Sequence, residues 1–236
     1  MRLGFLGTGT IAAAVVGGLA GQGHQIMVSH RSTRHSNALA AKFAEVESGT
    51  NEQVLAESDV IFLGLLAPHA PAILAPLSFR TGQTVISFMA EMSLEAVAKL
   101  VAPAHAPALM LPYPGIATGG SPILALGDTS MIEALFTPAN RIFALNTQAE
   151  LQAWLCAQAV LSPVAQMVDE AASWLNDGPR GEEFLRMLVA TSLAGQTCGD
   201  LLAALNTAGG YNQRLRLEMG RAGMSGALRD GLSSLA

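Results

Sequence analysis

Near the N-terminus, Leu3-Gly-Phe-Leu-Gly-Thr-Gly-Thr-Ile-Ala12 runs a short apolar strand into the spacing Gly7-x-Gly9-x-x-Ala12. Residues of these types at this spacing suit the binding of a dinucleotide. The first glycine permits a tight strand-to-helix turn, and the second keeps a side chain out of the way of the pyrophosphate. The third small residue lets helix and strand pack closely. A helix beginning near Thr10 would aim its free N–H groups and positive dipole end at the phosphates. Met1-Arg2 followed by small apolar residues to Ala20-Gly21 also has the outline of a secretory signal peptide. Gly7 and Gly9 interrupt that supposed apolar core, however, and a second strand pattern, Gln25-Ile-Met-Val-Ser29, follows at once.

The end of that second strand speaks to the cofactor. An NAD-binding chain normally places Asp or Glu there for the ribose 2′-hydroxyl. Here the chain reads Ser29-His30-Arg31-Ser32-Thr33-Arg34, with no acid before Glu45. Arginine and flanking hydroxyls can hold a 2′-phosphate through charge-assisted hydrogen bonds. The expected cofactor is therefore NADP(H).

These residues need a scaffold, and the chain alternates in a way that supplies one. Strand-like runs fall at 2–6, 25–29, 59–65, 84–88, 108–111, 122–126 and 141–144. Helix-like runs fall at 10–21, 35–45, 51–56, 70–76 and 93–101. Alternation of this kind implies βαβ units and a parallel sheet. Beyond Asn146 the pattern is helical throughout (148–175, 181–205 and 211–235), broken by Asn176-Asp-Gly-Pro179 and Thr207-Ala-Gly-Gly210. The expected fold class is α/β: an N-terminal doubly wound Rossmann domain over 1–146 and an all-helical domain over 147–236. That helical segment is thin and rich in Ala, Leu and Gly, so it is expected to complete its core in a homodimer.

Composition narrows the partners. Half of the 236 residues are apolar, 13% are charged, and the net charge of −5 argues against a nucleic-acid partner. No run of about 18 uncharged apolar residues lacks a Gly or Pro break, so no membrane span is expected. Cys156 and Cys198 have no CxxC or metal-ligand spacing and read as buried packing thiols of a cytoplasmic protein.

With these residues placed, nearly the whole chain resembles the pyrroline-5-carboxylate reductase family. Gly7–Ala12, the basic segment Ser29–Arg34, and Ser58-Asp-Val-Ile-Phe-Leu-Gly-Leu-Leu-Ala-Pro68-His69 match its glycine-rich start, basic loop and Pro-containing loop. Val85-Ile-Ser-Phe-Met-Ala90 matches its Ile-Ser-rich strand, and Leu111-Pro-Tyr-Pro114 looks like a shortened Met-Pro-Asn-Thr-Pro. Thr207-Ala-Gly-Gly-Tyr-Asn212, with the segment after it, resembles Ser-Pro-Gly-Gly-Thr-Thr and its following helix. The resemblance implies cofactor contacts at Gly7, Thr8, Gly9, Thr10, Ile11, His30, Arg31, Ser32, Leu65, Leu66, Ala67 and Ala90. Departures are equally plain. The family's Lys before Pro68 is Ala67, and its paired substrate-contacting threonines are Tyr211 and Asn212. The segment opening its helical domain has shrunk to Leu161-Ser-Pro163, and Glu91 stands where the family usually has Gly.

The side-chain inventory narrows the reaction further. Lys occurs only at 42 and 99, and no His follows His105, so a lysine on the helical domain cannot act. Neither a Ser-His-Asp nor a metal-ligand cluster is recognisable. A protonated imine is already electrophilic, and its reduction by hydride is mainly a matter of positioning. The expected activity is NADPH-dependent reduction of a small imine or amino-acid-like substrate, not necessarily pyrroline-5-carboxylate. Tyr113, Tyr211 and Asn212 are the candidate catalytic groups, although each can equally be an ordinary loop residue. His69 reads as packing near the cofactor, and Glu91 can equally be a solvated residue beside the N-cap Ser93. The substrate pocket is expected to be lined by Tyr113, Glu91 and Gly209–Asn212. The alternative is a catalytically degraded NADP(H)-binding sensor or scaffold.

Overall fold

The computed structural model describes residues 1–30 and 33–235 and divides into two compact units, Met1–Leu151 and Gln152–Ala236. Among the described residues the first unit carries eight strands: β1 (Arg2–Leu6), β2 (Gln25–Ser29), β3 (Val46–Gly49), β4 (Val60–Leu63), β5 (Thr84–Ser87), β6 (His105–Pro112), β7 (Pro122–Gly127) and β8 (Arg141–Leu145). They form one sheet in the order β3-β2-β1-β4-β5-β6-β7-β8. Strands β1 to β6 are parallel, β7 turns antiparallel against β6, and β8 runs parallel to β7. Chain order reverses direction between β1 and β4, which makes the gap above their carboxyl ends the switch point where such sheets bind ligands.

Helices α1 (Thr10–Leu19), α2 (Thr33–Lys42), α3 (Asn51–Glu57), α4 (Ala70–Leu74), α5 (Leu94–Val101) and α6 (Ser130–Phe136) connect these strands. Helix α1 buries Ala12, Val15, Val16 and Leu19, the i, i+3, i+4, i+7 stripe of a core-facing helix. Beneath it Phe5 stacks on Phe62 at 4.7 Å between ring centroids, and Phe88 and Phe136 close the cluster. The sheet's middle strands are buried on both faces, as parallel strands covered by helices must be. Two elements lie outside the sequence expectation. Strand β3 is a four-residue edge with Val46 as its one large apolar residue, too little for a period-2 signal. Helix α6 is two turns long, and its amphipathic stripe is short for the same reason.

In the second unit the long helical runs are divided. Helix α7 (Gln148–Ala157), which crosses the division between units, meets α8 (Leu161–Leu175) through a 3-10 turn at Gln158–Val160. Pro163 has no N–H to offer the preceding turn, so a smooth helix cannot continue there. Helices α9 (Gly178–Gly195) and α10 (Cys198–Ala204) part where Thr197 caps the second, accepting from the Asp200 N–H at 3.2 Å. Helices α11 (Tyr211–Arg221) and α12 (Met224–Leu235) part at Gly223, whose φ is 94°. Cys198 is exposed, against expectation, because α10 presents it on a face that nothing covers; Cys156 is buried, its thiol donating to the Leu235 carbonyl at 3.2 Å. Among the described residues of this unit only Cys156, Ala172 and Gly181 are buried. By length and composition the stretch Gln148–Leu175 would suffice to cross a membrane.

Candidate functional site

The first unit gathers its chemistry at the carboxyl ends of β1, β2, β4, β5 and β6. Strand register sets Leu6, Leu63, Ser87 and Leu109 at one level across β1, β4, β5 and β6. Beyond that level β1, β4 and β5 give way to loops within a residue, while β6 runs on to Pro112. At the end of β1, Gly7 adopts φ of 88°, a left-handed conformation that a side chain strains. A Cβ there would also strike the Gly64 carbonyl, and a Cβ on Gly64 would lie 2.6 Å from the Gly7 carbonyl and 3.0 Å from the Ala12 Cβ. The loops after β1 and β4 therefore touch backbone to backbone, with the Gly64 N–H donating to Leu6 O at 2.8 Å.

Gly9 is different. It caps α1 with an ordinary φ of −83°, and a Cβ added to it would meet nothing within 4 Å. No side chain caps this end of α1. The first-turn N–H groups, which every helix leaves without intrahelical partners, stay available to an anion. Open space at Gly9 beside unpaired first-turn N–H groups fits a dinucleotide pyrophosphate.

The loop is fastened from β2. Ser29, fully buried, accepts the Gly7 N–H on its Oγ at 2.8 Å, and its carbonyl accepts the Thr8 hydroxyl at 2.7 Å. One of the expected ligand groups is thus spoken for: the Thr8 hydroxyl, like that of Ser29, points into the protein, leaving Thr8 only its backbone for a ligand. Ser29→Ala leaves the half-buried Gly7 N–H without its partner, a loss of about 1 kcal/mol. The expected result is a lower Tm and roughly tenfold weaker binding of a dinucleotide, read by calorimetry. An unchanged dissociation constant would mean that the loop holds its shape without β2.

His30 and Arg34 are exposed, while Arg31 and Ser32 lie outside the described residues. The fold adds an acid that chain order hides. The His30 N–H donates to Gly49 O at 3.0 Å, which brings the start of α3 alongside. There Glu52 is held below the usual carboxylate range by its own backbone N–H and the Thr50 hydroxyl, with a further pull from His30.

On the other side of the switch point, Leu65, Ala67 and Ala90 are half-buried and Leu66 is 70% exposed. After β5, the Ser87 Oγ accepts the Met89 N–H at 3.1 Å and the Met92 N–H reaches Met89 O at 3.2 Å. This tight turn presents Glu91, exposed, just ahead of the Ser93 cap of α5. After β6, Tyr113 is half-buried and its carbonyl accepts the Ile116 N–H at 3.0 Å. Burial pushes the Tyr113 phenol up, so at neutral pH it remains a proton-bearing donor. The turn at 114–117 lies on α1 because residue 18 is glycine: a Cβ there would meet Ile116 O at 2.5 Å.

Tyr211 and Asn212 belong to the second unit. They open α11 behind Gly209 and Gly210, and Tyr211 is 88% exposed. The roles of Ser29 and Gly64 escape sequence reasoning, since each acts on a residue distant in the chain. The one available signal is a second glycine, Gly64, ending an apolar strand as Gly7 does.

Residues 2–91 match the family model described as NADP oxidoreductase coenzyme F420-dependent. No curated protein sequence matches the chain. Among solved structures it is similar to the 1-pyrroline-5-carboxylate reductase of Streptococcus pyogenes. The TM-score is 0.82 at 18% identity, over 100% of this chain and 96% of that one. The chain has the fold of the pyrroline-5-carboxylate reductases. A pyrroline carboxylate reductase of Plasmodium falciparum with NADP bound matches at TM-score 0.81 and 12% identity, over 100% and 95% of the two chains. A reductive aminase from Aspergillus terreus, in complex with NADPH4, cyclohexanone and allyl amine, matches at TM-score 0.63 and 19% identity, over 86% and 76%. The resemblance seen in the motifs therefore holds in the fold: an eight-stranded, mostly parallel sheet with a helical C-terminal part.

Proposed function

We propose that this protein is an NADPH-dependent reductase of small imines. The observation that carries the reading is the cradle at Gly9, open to a pyrophosphate and fastened to the end of the strand that opens the basic loop. When bound, NADPH supplies the hydride that converts a C=N bond to CH–NH. The protein's part is positioning: the backbone of Gly7–Ile11 holds the phosphates, and Leu65, Leu66, Ala67 and Ala90 flank the path from pyrophosphate to nicotinamide. Tyr113 is the substrate contact proposed on the cofactor-binding unit; Tyr211 and Asn212, the other candidates, stand on the helical unit. A protonated imine needs no strong general acid, consistent with a chain whose last His is His105 and last Lys is Lys99. The domain assignment proposed with it is a cofactor-binding unit over 1–146 and a substrate and dimerisation unit over 147–236, in a cytoplasmic enzyme.

Cofactor choice tests the reading. His30, Arg31, Ser32 and Arg34 favour a 2′-phosphate, whereas Glu52 beside His30 opposes it. One or two charge-assisted phosphate contacts are each worth roughly 1.5–3 kcal/mol, so NADPH should bind at least about tenfold tighter than NADH. Arg31→Ala should erase most of that preference, and Glu52→Gln should increase it. Equal affinities in the unmutated protein would overturn the assignment of NADPH. Replacement of the paired threonines by Tyr211 and Asn212 favours a second reading, a cofactor-binding sensor without turnover. NADPH oxidation across a panel of cyclic imines and ketones separates the two.

A further inference from the structure

We infer that the substrate is a cation without a carboxylate, and that Glu91 selects it. The inference rests on the reductase reading for the location of the substrate and deepens it. On a switch-point sheet the nicotinamide half of a dinucleotide lies over the ends of β4, β5 and β6. Three loops stand there: residues 64–69, 88–93 and 113–121. In all three the one formally charged side chain is Glu91; the rest are apolar residues, glycines, prolines, hydroxyls and His69. The described arginine of this edge, Arg34, follows β2, three strands away from β5. At the strand spacing of a sheet that is about 14 Å, beyond reach of a substrate at the nicotinamide.

Glu91 is held outward by local structure. The Ser87 and Met89 hydrogen bonds close the turn beneath it, and the cap of α5 is supplied by Ser93. Among the described residues its carboxylate has no hydrogen-bond or ion-pair partner. An anion flanked by the apolar neighbours Ala90 and Met92 attracts an iminium or ammonium group and repels a carboxylate. Both effects grow as a ligand excludes water. The surface that recognises the substrate thus favours protonated cyclic or alkyl imines over imino acids.

Binding and turnover should be measured together on the full chain. With the protein saturated in NADP+, pyrrolidinium should bind at least about tenfold tighter than proline by calorimetry. Glu91→Gln should remove that difference, and Glu91→Lys should invert it, with NADPH affinity unchanged in both. In NADPH oxidation, 1-pyrroline should surpass pyrroline-5-carboxylate, and Glu91→Gln should raise its KM with kcat little changed. Imine turnover with ligand preferences indifferent to residue 91 would overturn this inference and leave the reductase reading standing. Glu91-dependent binding of the cation without turnover of any imine would uphold the inference and overturn the reductase.

Discussion

Gly9→Val is expected to abolish NADPH binding while leaving the fold intact. The position has an ordinary φ and open space where a side chain would project, so the folded protein loses nothing by carrying one. Its branches would fill the volume that the pyrophosphate needs and shield the N–H groups of α1. The loss should be at least about a hundredfold in affinity, since the phosphate contacts there are the core of dinucleotide binding. Tm in the absence of cofactor should move by no more than a degree or two, whereas cofactor-induced stabilisation should vanish. Gly7→Ala makes the opposite comparison. Its φ of 88° and the Gly64 carbonyl against it mean that the fold itself suffers, and Tm should fall before any ligand is added. A Gly9→Val protein that still binds NADPH would remove the foundation of the proposed function.

The second large effect concerns the helical unit. Trp174 is 86% exposed, Leu161, Phe184, Met187 and Leu215 are exposed with it, and almost nothing in the unit is buried. A continuous apolar groove runs between α8 and α12, lined by Val160, Val164, Met167, Leu228 and Leu232. Exposed apolar residues gathered along one groove mark an interaction surface, and a second copy of the chain is the occupant we propose. Light scattering at micromolar concentration should give twice the chain mass of 24.4 kDa. The double substitution Met167→Glu, Leu228→Glu should drive the species to monomer or out of solution, because a buried unpaired carboxylate at an interface costs several kcal/mol. A monomer that needs detergent or sediments with lipid vesicles would assign the same face to a membrane, through the stretch Gln148–Leu175.

Much of this is legible in the amino-acid sequence, for identifiable reasons. The Gly7-x-Gly9-x-x-Ala12 turn depends on residue types at fixed local spacing, and local spacing survives in a sequence. The apolar runs of β1, β2, β4 and β5 are strong signals because strands covered on both faces need continuous apolar residues. Helix α1 announced itself by its small-residue stripe, and the absence of lysine and histidine beyond residue 105 is a matter of counting. Where elements are short or edge-exposed, as in β3 and α6, the pattern is too brief to distinguish from loop. Breaks inside the apparently continuous C-terminal helices turn on single residues, Pro163, Thr197 and Gly223, whose effect depends on neighbours across the turn. Contacts between residues far apart in the chain were decided by the fold alone. It brings Ser29 under the glycine loop, Gly64 against Gly7, and Glu52 beside His30. Sequence order carries the propensities that choose elements, whereas strand order and register choose which side chains meet. The cradle could therefore be read from the chain, and what fastens and surrounds it could not.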